Sequence, residues 1–491
     1  MKLLKRVTPF VVLIIIIVTS FLACKSARKA QSDEAEAMRY LVIARDYVDK
    51  MLNEGRDHYG KVHSPLFASA LDRQTYRIGT RESFGPVIGV RESDRALSGT
   101  NPLCDIGLYY TFYKLSTITK DNIWAQEADR TLKFFFENCQ SQNTGLMAWG
   151  EHLFWDFSTD SAGGRGEHEM IPWPFWDRCY KLAPGPCRNF AIGLWNHGVA
   201  DHVTGDFSRH AGWAKHDPRK GFEFPRYAGE MIEVWADAYN RQPDDIFINA
   251  TRVIFNRMKQ NSDPVTGIIH AGTDPSHYPG AWPGSDLELA RCLWKTANSF
   301  PKELADEMKS FAREIDRQYL SYYPHGLTNK GFVASVEAAT GKPGWHIPAY
   351  SNSFNTAYGL SNNAGSTRVL FARYLQLKEA DLPDANNFLK LIISAADGYL
   401  NIMPDTTQLL KPGSYASIIE LLLNVYSVTK KEKYLKRAVV YANEGIELFF
   451  DYTSPLPKAT NKHRHYETIT GGADFVSELV NLSMSLSVTP L

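Results

Sequence analysis

The residues able to do chemistry crowd into one stretch. Between Trp149 and Glu230 lie six of the eleven tryptophans and six of the fourteen histidines of the chain. Burying so many polar rings would require a partner for each, whereas lining a polar, aromatic-walled cleft accounts for them directly. The alternative is a tryptophan-rich packing layer with incidental histidines. Within the stretch, Trp149-Gly150-Glu151-His152-Leu153-Phe154-Trp155-Asp156 sets carboxylates beside two indoles. An apolar wall raises a carboxyl pKa, which suits a general acid. Glu151 is the expected acid, with His152 placed to orient a leaving oxygen and Trp155 to stack on a sugar ring. Glu169, in the equally aromatic segment after Gly163–Gly166, is its expected partner. The competing reading makes Glu151 a loop-bracing or capping carboxylate.

Further along come Trp195-Asn196-His197, Phe207-Ser208-Arg209-His210 and Phe224-Pro225-Arg226-Tyr227-Ala228-Gly229-Glu230. Arg209 and Arg226 suit bidentate recognition of a substrate carboxylate. Tyr227 and His210 fit acid and base roles in a lyase, or contacts to sugar hydroxyls in a hydrolase. Arg226 and Glu230 also read as an ordinary i,i+4 pair. His197, and His63 in the polar segment after the first helix, complete the expected substrate-binding set. His463–Glu467 and Asn352–Asn355 are further polar clusters. No metal or cofactor is expected, because neither a C-x-x-C pair nor His-x-x-x-His on a helix face occurs in the stretch. Cys179 and Cys187 bracket a loop that either closes as a disulfide or holds two buried thiols.

These residues need a scaffold, and the chain supplies a helical one. Ala37–Asn53, Asp105–Leu115, Trp124–Cys139, Arg226–Asn240, Ile246–Gln260, Phe354–Leu375, Ala385–Leu400, Ser417–Ser427 and Tyr434–Phe450 carry helical periodicity. Ser477–Val488 reads as a last helix or a short strand. Return helices open with an aromatic residue followed by alanine (Trp124/Ala128, Phe247/Ala250, Tyr434/Ala438), which permits close helix approach. Thr-Gly turns at Thr144-Gly145 and Thr266-Gly267 follow two hairpins at corresponding places. Irregularly spaced hairpins without a βαβ unit favour a closed toroid over a solenoid. The expected fold is all-α, a single-domain (α/α)6 toroid over 37–491 with its polar loops at one end.

The 491 residues carry 54 basic and 54 acidic side chains. That balance gives nucleic acid no grip. Lys2, Lys5 and Arg6 precede an apolar run to Ala23, and Phe21-Leu22-Ala23-Cys24 resembles a bacterial lipoprotein cleavage box. The expected organisation is a signal peptide over 1–23, a lipidated Cys24, and a polar tether over 24–36. The protein then works in the periplasm or at the cell surface, touching membrane through its lipid anchor only. An uncleaved N-terminal anchor is the alternative.

The segments His58-Tyr59-Gly60-Lys61-Val62-His63-Ser64-Pro65-Leu66, Trp149-Gly150-Glu151-His152 and Phe207-Ser208-Arg209-His210 resemble those of bacterial six-hairpin carbohydrate-active proteins, over about residues 37 to 485. The nearest resemblance is to the exo-β-glucuronidase-like glycoside hydrolase family 154. It implies an (α/α)6 barrel and, as partner, a polysaccharide or oligosaccharide bearing uronic acid. Three activities follow as expectations. The first is a glycoside hydrolase releasing a terminal uronic acid through Glu151 and Glu169. The second is a lyase in which Tyr227 or His210 abstracts the proton beside a carboxylate neutralised by Arg226. The third is a glycan-binding lipoprotein without catalysis.

Overall fold

The computed structural model describes residues 31–169, 172–221, 224–272, 280–344, 353–359 and 362–487. The expected leader, Cys24, the first part of the tether, and Asn352 lie outside them.

Helix α1 spans 31–54 and starts earlier than Ala37, since Glu34, Ala35 and Glu36 continue the helix. A short turn of helix, α2 (Arg81–Phe84), precedes α3 (Ile106–Thr119) and α4 (Ile123–Asn138). Then follow α5 (Trp176–Leu182) and α6 (Pro184–Gly193), which runs into a π-helical turn Leu194–Gly198. The remaining helices are α7 (Pro225–Arg241), α8 (Asp245–Gln260), α9 (Pro283–Thr296), α10 (Lys302–Ser321), α11 (Asn363–Glu379), α12 (Ala385–Gly398), α13 (Pro412–Thr429), α14 (Glu432–Phe449) and α15 (Gly472–Leu486). Of the expected segment Ser477–Val488, residues up to Leu486 belong to a helix, and Val488 lies outside the described residues. The helix expected from Phe354 begins only at Asn363, where the Asn362 side chain accepts from Gly365 N and caps it.

The architecture is an (α/α)6 toroid. Inner helices pack in succession, α3 on α15, α15 on α13, α13 on α11, α11 on α9 and α9 on α7. They bury residues on most sides, as α7 and α13 show. Outer helices bury one stripe. The aromatic–alanine pairs Trp124/Ala128, Phe247/Ala250 and Tyr434/Ala438 all point inward. Helix α1 is the outer partner of α15: Tyr40 donates to Asn443 of α14 on one side, and Trp124 of α4 reaches Asp49 on the other. Between α4 and α7 the short α5–α6 pair bridges the ring.

Inner-to-outer connections are tight (120–122, 242–244, 380–384), whereas outer-to-inner connections are long (55–105, 139–224, 322–362, 450–471). All the long loops therefore emerge at the end where the inner helices begin. The two expected Thr-Gly turns stand there, with Gly145 and Gly267 in the left-handed region and isolated bridges Gln140–Met147 and Ser262–Ile269 closing them. A third of the same form follows at Thr204-Gly205 under the bridge Val199–Phe207. The long loops also build strands: β1 (Ala70–Leu71), β2 (Gly99–Thr100), β3 (His152–Asp156), β4 (Ser161–Glu169), β5 (His210–Gly212), β6 (Gly280–Ala281), β7 (Val336–Glu337) and β8 (Tyr466–Glu467). Strands β2-β3-β4-β5 form an antiparallel sheet, and β1 pairs with β8.

Candidate functional site

The four-stranded sheet brings the chemistry together. In β4, Glu167 and Glu169 are two apart and share a face. Register places His210 of β5 opposite Glu169, and His152 of β3 opposite Glu167. A bulge in β4 moves the next pair to Leu153–Gly164 and sharpens the twist beside these residues. His168 points to the opposite face, where its Nδ1 lies 2.9 Å from Met147 O and burial pushes the imidazole down to about 4. Gly150 lets the two strands meet: a Cβ there would stand 2.6 Å from Glu169 N, and its φ is +137°.

Helix α7 supplies the other wall. Pro225 at its first position fixes the helix start at the long-loop end and so delivers Arg226 and Tyr227. The buried Tyr227 hydroxyl donates to Glu169 Oε1 in a short contact and accepts from Arg226 Nη2 at 2.7 Å. Arg209 Nη1 lies 3.1 Å from Glu169 Oε1 and 3.0 Å from Glu151 Oε2. The Glu151 amide donates to Glu169 Oε2 at 2.9 Å. His210 Nε2 is 3.6 Å from Glu151 Oε2 and 3.8 Å from Glu169 Oε2, without a hydrogen bond.

Burial opposes ionisation of Glu169, but His210, Arg209 and Tyr227 outweigh it and hold the carboxyl below its ordinary value. Burial raises the Tyr227 phenol to about 12, with the Glu169 charge adding to it and Arg226 opposing. His152 is lowered by burial and by His210. Glu230 lies in the α7 core, where burial lifts its carboxyl well above the ordinary range.

Of the expected residues, Glu151, Glu169, His152, His210, Tyr227, Arg209 and Arg226 converge. Three do not. His63 is exposed on a loop whose amides at Lys61 and Val62 bind Asp160, at the far tip of the β3–β4 hairpin. Trp155 packs half-buried against the core. His197, on the π turn, faces His216 with their Nδ1 atoms 3.0 Å apart. The aromatic wall is a correction: Trp149, Trp173, Trp176 and Trp195 are 0–5% exposed. Trp149 packs among Phe135, Trp173 and Phe190. The indole does not desolvate Glu151, which lies between the guanidiniums of Arg209 and Arg91. Cys179 and Cys187 are free buried thiols, and burial pushes Cys179 up to about 12.

Sequence reasoning missed Arg91, Asp94, Glu167 and Arg219. Asp94 Oδ1 lies 3.0 Å from His152 Nδ1, and Arg219 Nη2 lies 2.7 Å from Glu167 Oε1. No spacing signals Arg91, Asp94 or Arg219, because the segments carrying them reach the sheet only through tertiary packing. Glu167, two residues from Glu169, is the one a strand period could have found. Glu151, His152 and His210 also offer three ligand atoms within 4.8 Å of one another. The set fits a divalent ion of the kind that takes imidazole and carboxylate together. The two Nε2 atoms stand 3.6–3.7 Å from Glu151 Oε2, close to the donor spacing such an ion imposes. Histidine spacing along the chain gave no hint of this.

Residues 94–251 match the family described as "Periplasmic pectate lyase". The chain is 27% identical over 284 residues to a pectate disaccharide-lyase of Dickeya dadantii, covering 51% of each. It thus spans about half the length of that curated relative. Among solved structures, a D-mannose isomerase aligns over 93% of this chain and 97% of its own, with TM-score 0.45 and 9% identity. An α-mannanase of Bacteroides thetaiotaomicron aligns over 90% and 95%, with TM-score 0.45 and 11% identity. Among the described residues no helix is long and apolar enough to cross a membrane.

Proposed function

We propose that this protein is a carbohydrate-active enzyme on uronic-acid-containing polysaccharide, and specifically a lyase that cleaves a pectate-like polyuronate by β-elimination. One observation carries the reading: Tyr227 is held between an ionised Glu169 and Arg226, with Arg209 alongside. The region matching the pectate lyase family contains all four residues.

Elimination needs a group to neutralise the uronate carboxylate, a base for the neighbouring C–H, and a proton for the leaving oxygen. Arg209, 20% exposed beside Glu151 and Glu169, suits the carboxylate. Glu169 takes the phenol proton while Arg226 steadies the oxygen, and the phenolate removes the proton at C5. The C4–O bond breaks, a C4–C5 double bond forms, and the leaving oxygen is protonated from the Tyr227–Glu169 pair, which ends as it began. With the phenol at about 12 and the Glu169 carboxyl below its ordinary value, passing the proton between them costs upwards of roughly 10 kcal/mol, within the barrier of an enzymatic step. Glu151, His152 and His210 would hold a divalent ion, whose chemistry there is to bind the uronate carboxylate and acidify the adjacent proton.

The second reading is hydrolysis by a β-glucuronidase-like enzyme of the family 154 kind, favoured by two carboxylates in one cleft. Its general acid must be neutral, and both Glu151 and Glu169 contact Arg209. That contact weighs against it. Export as a lipoprotein anchored through Cys24, with the tether leading into α1, accords with the word periplasmic in the matched family's description.

The test is incubation of purified protein with polygalacturonate and glucuronan, read at 235 nm and for reducing ends. Elimination raises both signals. New reducing ends without absorbance would replace the lyase with the hydrolase, and binding with neither signal would leave a glycan-binding lipoprotein.

A further inference from the structure

The third side of the candidate site is the 3₁₀ turn Glu92–Asp94, and its anchorage lies far away in sequence. Arg91, on the near side of the turn, contacts Glu151 and donates to Asp94 Oδ2 at 2.8 Å. Asp94 in turn faces His152. Arg95, on the other side, has a fully buried side chain. Its Nε and Nη2 donate to Glu467 Oε1 and Oε2, each at 2.8 Å, and Nη1 donates to Glu92 Oε1 at 3.1 Å and to Gly85 O at 2.7 Å. Glu467, on β8, also lies 2.8 Å from His465 Nε2. Phe84 stacks on His465 with centroids 4.4 Å apart and planes 5° from parallel. Two outer ties complete the strap: His463 Nε2 lies 3.0 Å from Pro86 O, and Lys411 Nζ donates to Gly89 O at 3.2 Å.

We propose that Arg95, Glu467 and His465 are positioning residues for the candidate site. They form a lock between the C-terminal loop and the 91–95 turn that sets Arg91 and Asp94 against Glu151 and His152. None of the three touches the converged catalytic groups, so each acts through the turn. The physical argument begins with cost. A buried ion pair rarely stabilises more than apolar packing of the same volume, and its best-attested use is to fix one geometry. Here the fixed geometry is bidentate, and both Nη1 donors of Arg95 are also taken, by Gly85 O and Glu92, which leaves the turn one orientation. Arg91 is long and 42% exposed, so without a rigid base its contact to Glu151 would dissolve into many rotamers. Misplacing a site group by about 1 Å costs on the order of 10² in rate.

The activity arm of this inference rests on the lyase reading, and the structural arm does not. The variants are Glu467→Ala, Glu467→Gln and Arg95→Lys in the full chain, each alone and with Arg91→Ala. Hydrogen exchange is followed by mass spectrometry in segments 86–96 and 149–156, together with Tm, kcat and KM on polygalacturonate. Exchange is expected to rise at least about fivefold in 86–96 and also in 149–156, with distant hairpins such as α11–α12 unchanged. For turnover, kcat should fall about 10- to 100-fold with a smaller change in KM, and Arg91→Ala should add less than about twofold to the Glu467 variants. Arg95→Lys should not rescue, since an ammonium cannot form the fork. Losses that multiply in the double variants would overturn the proposal, as would loosened 86–96 with unchanged 149–156. Should Glu467→Ala fold poorly, the isosteric Glu467→Gln gives the same exchange readout. A wild-type protein without elimination activity would defeat the lyase reading alone, and exchange in 149–156 would still decide the lock.

Discussion

The molecule holds two clusters built from arginine, histidine and glutamate, joined by one short turn, and they have opposite characters. In the first, Arg95, His465 and Glu467 have side chains 0%, 5% and 2% exposed, and both Glu467 oxygens are hydrogen-bonded. In the second, Glu151, Arg209 and His210 are 24%, 20% and 14% exposed, and His210 Nε2 has no hydrogen bond. The same side chains therefore do different work according to saturation. A closed set of donors and acceptors has nothing left for a ligand and spends its bonds on geometry. An open set, neutralised in net charge but short of partners, offers its unfilled atoms to substrate or metal.

The sharpest way to break this comparison is at Tyr227. Tyr227→Phe removes only the hydroxyl that joins Glu169 and Arg226, and elimination measured at 235 nm should fall about 10²–10⁴-fold with Tm little changed. Near-normal turnover in a folded Tyr227→Phe protein would remove Tyr227 from the mechanism. The same hydroxyl sets the pH dependence. With the phenol raised to about 12 and the Glu169 carboxyl held low, the pair keeps one proton across neutral pH and passes it internally. Between pH 7 and 9 log kcat/KM should therefore stay level, whereas a hydrolase acid would give a falling limb.

Breaking the closed cluster should cost stability. Arg95→Met strands Glu467 as a buried charge and should destabilise the fold by about 3–5 kcal/mol by denaturant titration. Glu467 carries a linked acid effect. Burial raises its pKa, but His465 and Arg95 outweigh that and hold it below the ordinary value. Its contribution is thus full above the unfolded carboxyl pKa and is lost as pH falls through the folded one. Glu467→Gln should accordingly flatten the acid side of a Tm–pH profile between about pH 5 and 3; an unchanged profile would mean that other carboxylates govern acid unfolding.

Smaller effects sharpen the open cluster. Adding Mn²⁺ or Ni²⁺ at 100-fold over Kd should stabilise the protein by about 2.7 kcal/mol. His152→Ala or His210→Ala should abolish the thermal shift, and persistence of the shift in both would place the ion elsewhere. The least effect on chemistry is expected from Trp149→Phe, which trims a core indole: Tm should drop while kcat on polygalacturonate holds within about twofold. A large kcat loss at full stability would return that indole to the site.

Much of the scaffold was legible before any coordinates. Periodicity locates the hairpins α3–α4, α7–α8, α11–α12 and α13–α14, though not α9–α10 or the short α5–α6 pair, because inner and outer helices bury predictable stripes. The Thr-Gly turns announce a repeated local geometry. Residue type alone pointed to Glu151, Glu169, His210, Arg209, Arg226 and Tyr227, since charged and imidazole groups in a dense aromatic stretch demand either partners or solvent. Which of these occurred was beyond the chain's reach. The tryptophans were read as a cleft wall, yet the side chain of Trp149 faces the core while Glu151, two residues on, meets Arg91 and Arg209. A regular strand would put residues two apart on one face; Gly150, with φ +137° and packed against the Glu169 backbone, turns the chain between them. Composition and pattern determined a helical toroid and its reactive residue types, because those depend on local hydrophobic spacing. Strand register, the bulge in β4, and the 91–95 turn anchored by Glu467 decided which of them meet, because those contacts join segments up to hundreds of residues apart and leave no local trace.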